Sequence, residues 1–398
     1  MVVAVALAIP GCNSGSANPE LTVQAKPQAQ PSPQAQSAPQ VQPPHRAPGD
    51  ASADADLTGL AGKPLYLALC APCHGAEGKG YVADRAPSLV NPTFLESASD
   101  EFLRRAIAAG RPGTSMAAYS KAMGGPLDDA KAEELVRWLR GQGPALASLA
   151  APGKGDAAAG EKLYVEYCRT CHGDTKTRGE AIHLANVQFQ QSATDAFIRH
   201  AIDKGRPTTK MPAFGAVMTP QQLDDLVAFI RTFGGGGGQA VGALPAPTGK
   251  EPLVLNPGGK DPVWKKLRND PANSNTPRFV SADELKKALD EKRKLIIIDA
   301  RPQSEWMRVH IAGAVSIEYF QPSRLSEVPK DVWAIAYCAC PHHLSGIIVD
   351  ELIKRGHPKP LVLDEGINVW HQKGYPVVAA PGVTAPPKEP VGSAGQIR

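Results

Sequence analysis

Apolar residues recur three to four positions apart in two long stretches of the chain and form short β-branched runs only in a third. In the first stretch, residues 57–142, Leu65, Tyr66 and Leu69 mark one helix, Phe102, Leu103 and Ile107 a second, and Leu135, Val136 and Leu139 a third. In the second stretch, residues 155–234, Phe197, Ile198 and Ile202 mark one helix and Leu223, Leu226, Val227 and Ile230 another. Asp100 and Asp195 open the middle helices, and Gly110 and Gly205, each followed one residue later by proline, close them. In the third stretch, residues 278–380, the runs "KLIIIDA" (294–300), "DVWAIAYC" (331–338) and "PLVLDEG" (360–366) predict buried strands. Helical segments alternate with them. Ser281 is an N-cap with Glu284 in the capping-box position, and "SGIIVDELIKRG" (345–356) ends in glycine. Strand–helix alternation predicts a mainly parallel sheet.

The first two stretches repeat one another. "PLYLALCAPCHG" (64–75) matches "EKLYVEYCRTCHG" (161–173), and "DEFLRRAIAAGRPGTSMAAY" (100–119) matches "DAFIRHAIDKGRPTTKMPAF" (195–214). "DDAKAEELVRWLRG" (128–141) matches "TPQQLDDLVAFIRT" (219–232), and the blocks keep their order. Each copy is three helices around a long middle loop. That is small for a self-sufficient core, so something else is expected to fill it.

Polar segments divide the modules. Residues 13–56 are rich in Pro, Gln, Ala and Ser, with too little apolar surface to offset ordering entropy, and read as a disordered tether. Residues 143–154 and 235–277 read as linkers, the latter entered through the glycine run 234–238, and 381–398 reads as a disordered tail. The apolar run over residues 1–12, "MVVAVALAIPGC", reads as a secretory signal. Its Gly-Cys junction resembles the lipobox of bacterial lipoproteins, which implies lipidation at Cys12, an ordinary secretory signal being the alternative. Either reading puts the folded part outside the cytoplasm, on the periplasmic or cell-surface side. Lipidation adds a membrane anchor. The formal charge of +4 and the lack of a basic stripe with interleaved aromatics argue against a nucleic-acid partner.

The repeated block carries chemistry. Cys70, Cys73 and His74, and again Cys168, Cys171 and His172, form Cys-x-x-Cys-His, the attachment signature of haem c. Two thiols one helical turn apart bond the vinyl groups of one porphyrin, and the adjacent histidine faces the iron. Zinc held by the two Cys-x-x-Cys knuckles would need all four ligands to converge, yet each pair lies inside its own repeat. Met116 and Met211 follow the histidines in matching positions after Gly-Arg-Pro and are the expected second axial ligands. Met123 and Met218, seven residues later, are read as packing residues. Arg111 and Arg206 are either propionate partners or solvated loop residues.

At these residues each repeat resembles a class I cytochrome c domain. The second copy carries the family's "MPAF", whereas the first has "MAAY". The resemblance implies two haem c groups, each iron held by His and Met, and electron transfer with redox partner proteins rather than transformation of a small molecule. The third stretch resembles a rhodanese domain through "LIIIDAR", "HIAGAVSI" and "LDEGINVWHQKGYPV". In that family Asp299 and Arg301 end a strand, and Cys338 falls where a cysteine accepts sulfane sulfur as a persulfide. The loop "CACPHHLS" is one residue longer than the family's and has Leu344 where arginine is usual, leaving His342 and His343 as its cations. Four readings stay open: a sulfur acceptor at Cys338 with Cys340 as resolving thiol; a redox-active disulfide between them; a soft-metal site of Cys338, Cys340, His342 and His343; or a non-catalytic docking module. The whole reads as a multidomain protein, two all-α cytochrome c domains followed by an α/β rhodanese-like domain. Its function is expected to be electron transfer, with coupling to oxidation of an inorganic sulfur compound, or a thiosulfate-type sulfurtransferase activity, as the further possibilities.

Overall fold

The computed structural model describes residues 57–234, 242–339 and 342–388. The signal and tether over 1–56 with Cys12, the glycine-run segment 235–241, Cys340 and the tail from 389 lie outside the described residues.

The first repeat is built from α1 (Gly62–Leu69), α2 (Ala71–His74), α3 (Pro92–Leu95), α4 (Asp100–Ala109) and α5 (Asp129–Arg140). The second has α6 (Ala157–Tyr167), α7 (Arg169–His172), α8 (Val187–Ser192), α9 (Asp195–Lys204) and α10 (Pro220–Thr232). In each copy the first long helix packs on the last, and the middle helix also lies against the last. Caps fix the starts: Ser99 and Thr194 accept from the N–H groups of Phe102 and Phe197, and Thr219 with Gln222 forms a capping box. Side-chain bonds are duplicated too. Tyr66 and Tyr164 donate to Gly75 and Gly173 carbonyls at 2.7 and 2.9 Å. Arg140 spans from Asp100 to the Leu95 carbonyl, and Arg231 from Asp195 to the Gln190 carbonyl.

The third module has strands β1 (Leu267–Asp270), β2 (Asn273–Val280), β3 (Leu295–Asp299), β4 (Val309–Ile311), β5 (Val315–Ser316), β6 (Trp333–Tyr337), β7 (Pro360–Leu363) and β8 (Val377–Ala379). Its helices are α11 (Ala282–Asp290), α12 (Gln303–Arg308), α13 (His343–Lys354) and α14 (Gly366–Gln372). Six strands form one sheet in the order β1-β2-β7-β6-β3-β5, parallel except for the β1–β2 hairpin, and β4 pairs with β8 apart from it. The strand β3 is buried throughout, as its unbroken apolar run requires.

Two polar stretches behave differently from their composition. From Gly242 the stretch read as a linker lies on the α/β module: Leu255 bridges to Leu295, and β1 and most of β2 extend the sheet. Backbone pairing holds the largely exposed β1–β2 hairpin, while Leu253, Val254, Leu255 and Trp264 ahead of it pack against the core. The tail through Lys388 is likewise tied down, by an isolated bridge from Thr177 to Lys388 and by Gln372 donating to the Pro387 carbonyl. Among the described residues no helix is long and apolar enough to cross a membrane.

Candidate functional site

The Cys-x-x-Cys-His turns fold alike. Each sits where a long helix breaks into a single turn, with the first cysteine capping both pieces. His74 Nδ1 donates to the Pro87 carbonyl at 2.9 Å and His172 Nδ1 to the Ile182 carbonyl at 2.8 Å. This fixes the tautomer and leaves Nε2 unprotonated in both rings, the state a metal ligand needs. Burial holds both imidazoles below their ordinary pKa and so keeps them neutral. Cys70, Cys73, Cys168 and Cys171 are all free of disulfides.

The methionine loops also match bond for bond. Arg111 N–H donates to the Met116 carbonyl at 2.7 Å, and Arg206 N–H to the Met211 carbonyl at 3.0 Å. Thr114 and Thr209 hydroxyls close each turn on the arginine carbonyl, at 2.6 and 2.7 Å. Gly110 and Gly205 have positive φ, and a Cβ at either would strike the backbone beside the methionine (Met116 and Ala117, or Pro212). Met116 and Met211 are each partly buried. Met218 is core, while Met123 is half exposed.

Haem fits these residues on an observation independent of the motif. Arg111 and Arg206 are buried enough that desolvation pulls each guanidinium down to about 10. No carboxylate lies within ion-pair distance of either among the described residues. Their Nη1 groups bond Gly110 and Gly205 carbonyls, and their planes lie over the Phe102 and Phe197 rings. A largely desolvated cation with no anion bonded to it is costly, although Glu96 acts on Arg206 from beyond ion-pair distance, and a propionate would supply the missing partner.

The two methionine loops meet. Asn91 Nδ2 donates to the Pro207 carbonyl at 2.8 Å, and Asn186 Nδ2 to the Pro112 carbonyl at 2.8 Å, an exchanged pair from equivalent positions of the two repeats. Phe102 and Phe197 stack between them at 4.8 Å. Sequence reading missed both asparagines, although Asn-x-x-Phe recurs at 91–94 and 186–189, nine residues before each middle helix.

Cys338 ends β6, is fully buried, and has its Sγ 3.4 Å from Ser345 Oγ on α13. His342 takes a left-handed backbone and bonds Asp364 Oδ1 through Nε2 at 2.5 Å, while Arg268 bonds the same carboxylate. The pairing holds the Asp364 carboxyl down at about 2 against the cost of burial. His343 opens α13, and Leu344 is buried behind it. Asp299 is buried and gripped by Arg301 and by the Tyr337 hydroxyl, a scaffold rather than a reactive pair. The loop also faces the first repeat. α13 packs on α2. Tyr119 of the first repeat and Tyr319 of the third module both donate to the Leu69 carbonyl, at 3.1 and 2.7 Å, one residue before Cys70, and their hydroxyls are 3.1 Å apart.

Residues 58–139 and 155–230 match the family described as cytochrome c oxidase, cbb3-type, subunit III, and residues 281–373 match the rhodanese-like domain. The FixP subunit of the cbb3-type cytochrome c oxidase of Bradyrhizobium diazoefficiens is 28% identical over 200 residues, 47% of this chain and 66% of that protein. FixP of Azorhizobium caulinodans is 29% identical over 201 residues, 47% of this chain and 64% of that protein. The chain thus spans less than two thirds of the length of these relatives. A sulfurtransferase of Allochromatium vinosum is 27% identical over 112 residues, 26% of this chain and 96% of that protein. The chain therefore joins two cytochrome c domains of the cbb3 subunit III type to a C-terminal rhodanese-like domain.

Proposed function

We propose that the chain is an extracytoplasmic electron carrier holding two haem c groups, one per cytochrome domain, and that Cys338 of the rhodanese-like domain is a sulfur acceptor that feeds them. The observation that supports it most is the duplicated centre: in both copies the histidine tautomer, the methionine turn and a partly buried arginine bonded to the preceding glycine carbonyl are set by matching bonds. Haem c supplies one-electron redox chemistry when bound. Cys70, Cys73, Cys168 and Cys171 would attach it, His74 with Met116 and His172 with Met211 would ligate it, and Arg111 and Arg206 would neutralise its propionates. An iron held by a histidine and a methionine of the protein would be closed to substrate and suited to carrying electrons. The exchanged asparagine bonds hold the two methionine loops together, which favours passage between the domains.

The copies differ in exposure. Around Cys70 and Cys73 the first domain is covered by the rhodanese-like domain, whereas Cys171 is exposed in the second, as are Tyr167 and Val217. Tyr81, Val82 and Met123 are exposed in the first domain too, so the difference between the copies lies at the Cys-x-x-Cys-His edge, which in the second domain is the side we assign to a redox partner protein. Lipidation at Cys12 would tether the protein to a bacterial membrane.

A second reading, a sulfurtransferase working through a Cys338 persulfide, draws on the position of Cys338 between β6 and α13 and on the sulfurtransferase relative. Anaerobic titration of the oxidised chain with a calibrated one-electron reductant tests the carrier reading. Two electrons per chain are expected, and one or none contradicts it.

A further inference from the structure

Cys338 belongs to a rhodanese-like domain, yet its surroundings suit that domain's usual dianionic donors poorly. It is fully buried, and Ala339 and Leu344 beside it are buried too. Three of the cations around the loop are already engaged by carboxylates. His342 and Arg268 share Asp364, and Arg278, whose Nη2 reaches the Gly346 carbonyl, is paired with Asp350 at 2.7 Å and Asp270 at 3.4 Å. Bringing thiosulfate into this site would bury two negative charges against His342, Arg268 and Arg278, which Asp364, Asp350 and Asp270 already engage. Hydrogen sulfide is small and partly uncharged near neutral pH, and carries no such penalty.

The second observation is where the loop sits. α13 lies on α2, and Tyr319 reaches from the rhodanese-like domain to the Leu69 carbonyl beside Cys70. The sulfur-accepting group is therefore set against the attachment edge of the first cytochrome domain, with the second domain bonded to the first through Asn91 and Asn186.

We propose that the substrate is hydrogen sulfide and that Cys338 captures its sulfur oxidatively, as a persulfide, giving one electron to each of the two haem c groups. This assignment rests on the carrier reading above. The Cys338 thiol and hydrogen sulfide lose one S–H bond each, and one S–S bond forms between their sulfur atoms. Two protons pass to water, and the two electrons released convert two ferric irons to ferrous, one electron apiece. The products are the Cys338 persulfide, two protons and two ferrous irons. The electron count of the bond equals the capacity of the two domains, so one turnover fills the chain before the second domain passes electrons on.

The test uses the haem-loaded full chain, oxidised and anaerobic, with sodium sulfide. Expected are one sulfur atom added at Cys338 by peptide mass spectrometry and two ferrous haems per persulfide by visible absorbance, both lost in Cys338→Ser. Cys338→Ala, checked for haem content and melting temperature against wild type, guards against a folding defect in the serine variant. Ascorbate on the wild-type chain separates the two readings. If ascorbate leaves the haems ferric, the carrier reading fails and the proposal with it. If ascorbate reduces them but sulfide adds no sulfur to Cys338, or reduces Cys338→Ser as fast as wild type, the proposal alone is overturned. Thiosulfate loading Cys338 with release of sulfite and no haem reduction also overturns it, in favour of plain sulfur transfer.

Discussion

The exchanged asparagine pair gives the sharpest handle on how the cytochrome domains are held together. Asn91 and Asn186 are 4% and 6% exposed. Each does two jobs. Its Nδ2 donates to a proline carbonyl of the other domain, and its Oδ1 accepts the first N–H groups of a short helix, from Phe94 in one case and from Gln188 and Phe189 in the other. Alanine removes both. Leaving a buried carbonyl without a donor costs about 1–3 kcal/mol, and losing the cap costs about 1 kcal/mol, so each alanine variant should lose about 2–4 kcal/mol. Aspartate separates the jobs, because it keeps the cap oxygen and turns the donor into an acceptor facing the Pro207 or Pro112 carbonyl. Asn91→Asp and Asn186→Asp should therefore lose about 1–3 kcal/mol or more, the added charge only raising the cost. For a unit of this size each kcal/mol moves the midpoint by about 2–4 °C. Calorimetry of the full chain, with the cytochrome transition identified by the haem absorbance band, should show aspartate and alanine variants both melting several degrees early. Aspartate variants that melt with wild type would show that only the caps matter and that the interdomain bonds contribute nothing.

Further outcomes follow from other parts of the molecule. Met116→Ala and Met211→Ala should each abolish half of the far-red methionine-to-iron band of the oxidised spectrum and lower one of two reduction potentials, since methionine ligation raises the potential; a band unchanged in either variant would remove that residue as ligand. Burial raises the Glu318 carboxyl to about 7 from an ordinary 4.5. The folded state thus binds this proton more tightly than the unfolded one, and stability is lost as pH climbs from about 4.5 to 7, by up to about 3 kcal/mol. Glu318→Gln should flatten that slope in denaturation curves at several pH values, and an unaltered slope would refute the assignment. Trp370 is fully buried, with Nε1 donating to the Pro376 carbonyl at 2.9 Å. Trp370→Ala should cost the rhodanese-like domain about 3–5 kcal/mol or more, read by urea unfolding, whereas a loss under 1 kcal/mol would mean the site collapses around the gap.

Much of this architecture is local and was therefore legible. The helices of both repeats follow from apolar spacing and from caps such as Ser99 and Thr194, and the Cys-x-x-Cys-His turns need only five consecutive residues. The parallel strands show as unbroken runs because both faces of β3 and β6 are covered. The β1–β2 hairpin did not show, since "RNDPANSNTP" has no apolar alternation and is held by backbone pairing at a sheet edge. Contacts between modules were hidden for a different reason. Asn91 and Asn186 look like ordinary turn residues, and Tyr319 like a core aromatic, until folding places them against carbonyls of distant segments. The histidines read as the loop's only cations gave half the story: His342 does face a charge, but the charge is Asp364, which sequence distance concealed.

The central claim is that each cytochrome domain is completed by its own covalently attached haem. Peptide mass spectrometry of the mature, pigmented chain tests it most directly. The account predicts one haem mass on the peptide spanning Cys70–His74 and another on the peptide spanning Cys168–His172, both surviving acid–acetone extraction. Either peptide recovered with free thiols from fully pigmented protein, or pigment lost to the solvent, would contradict it.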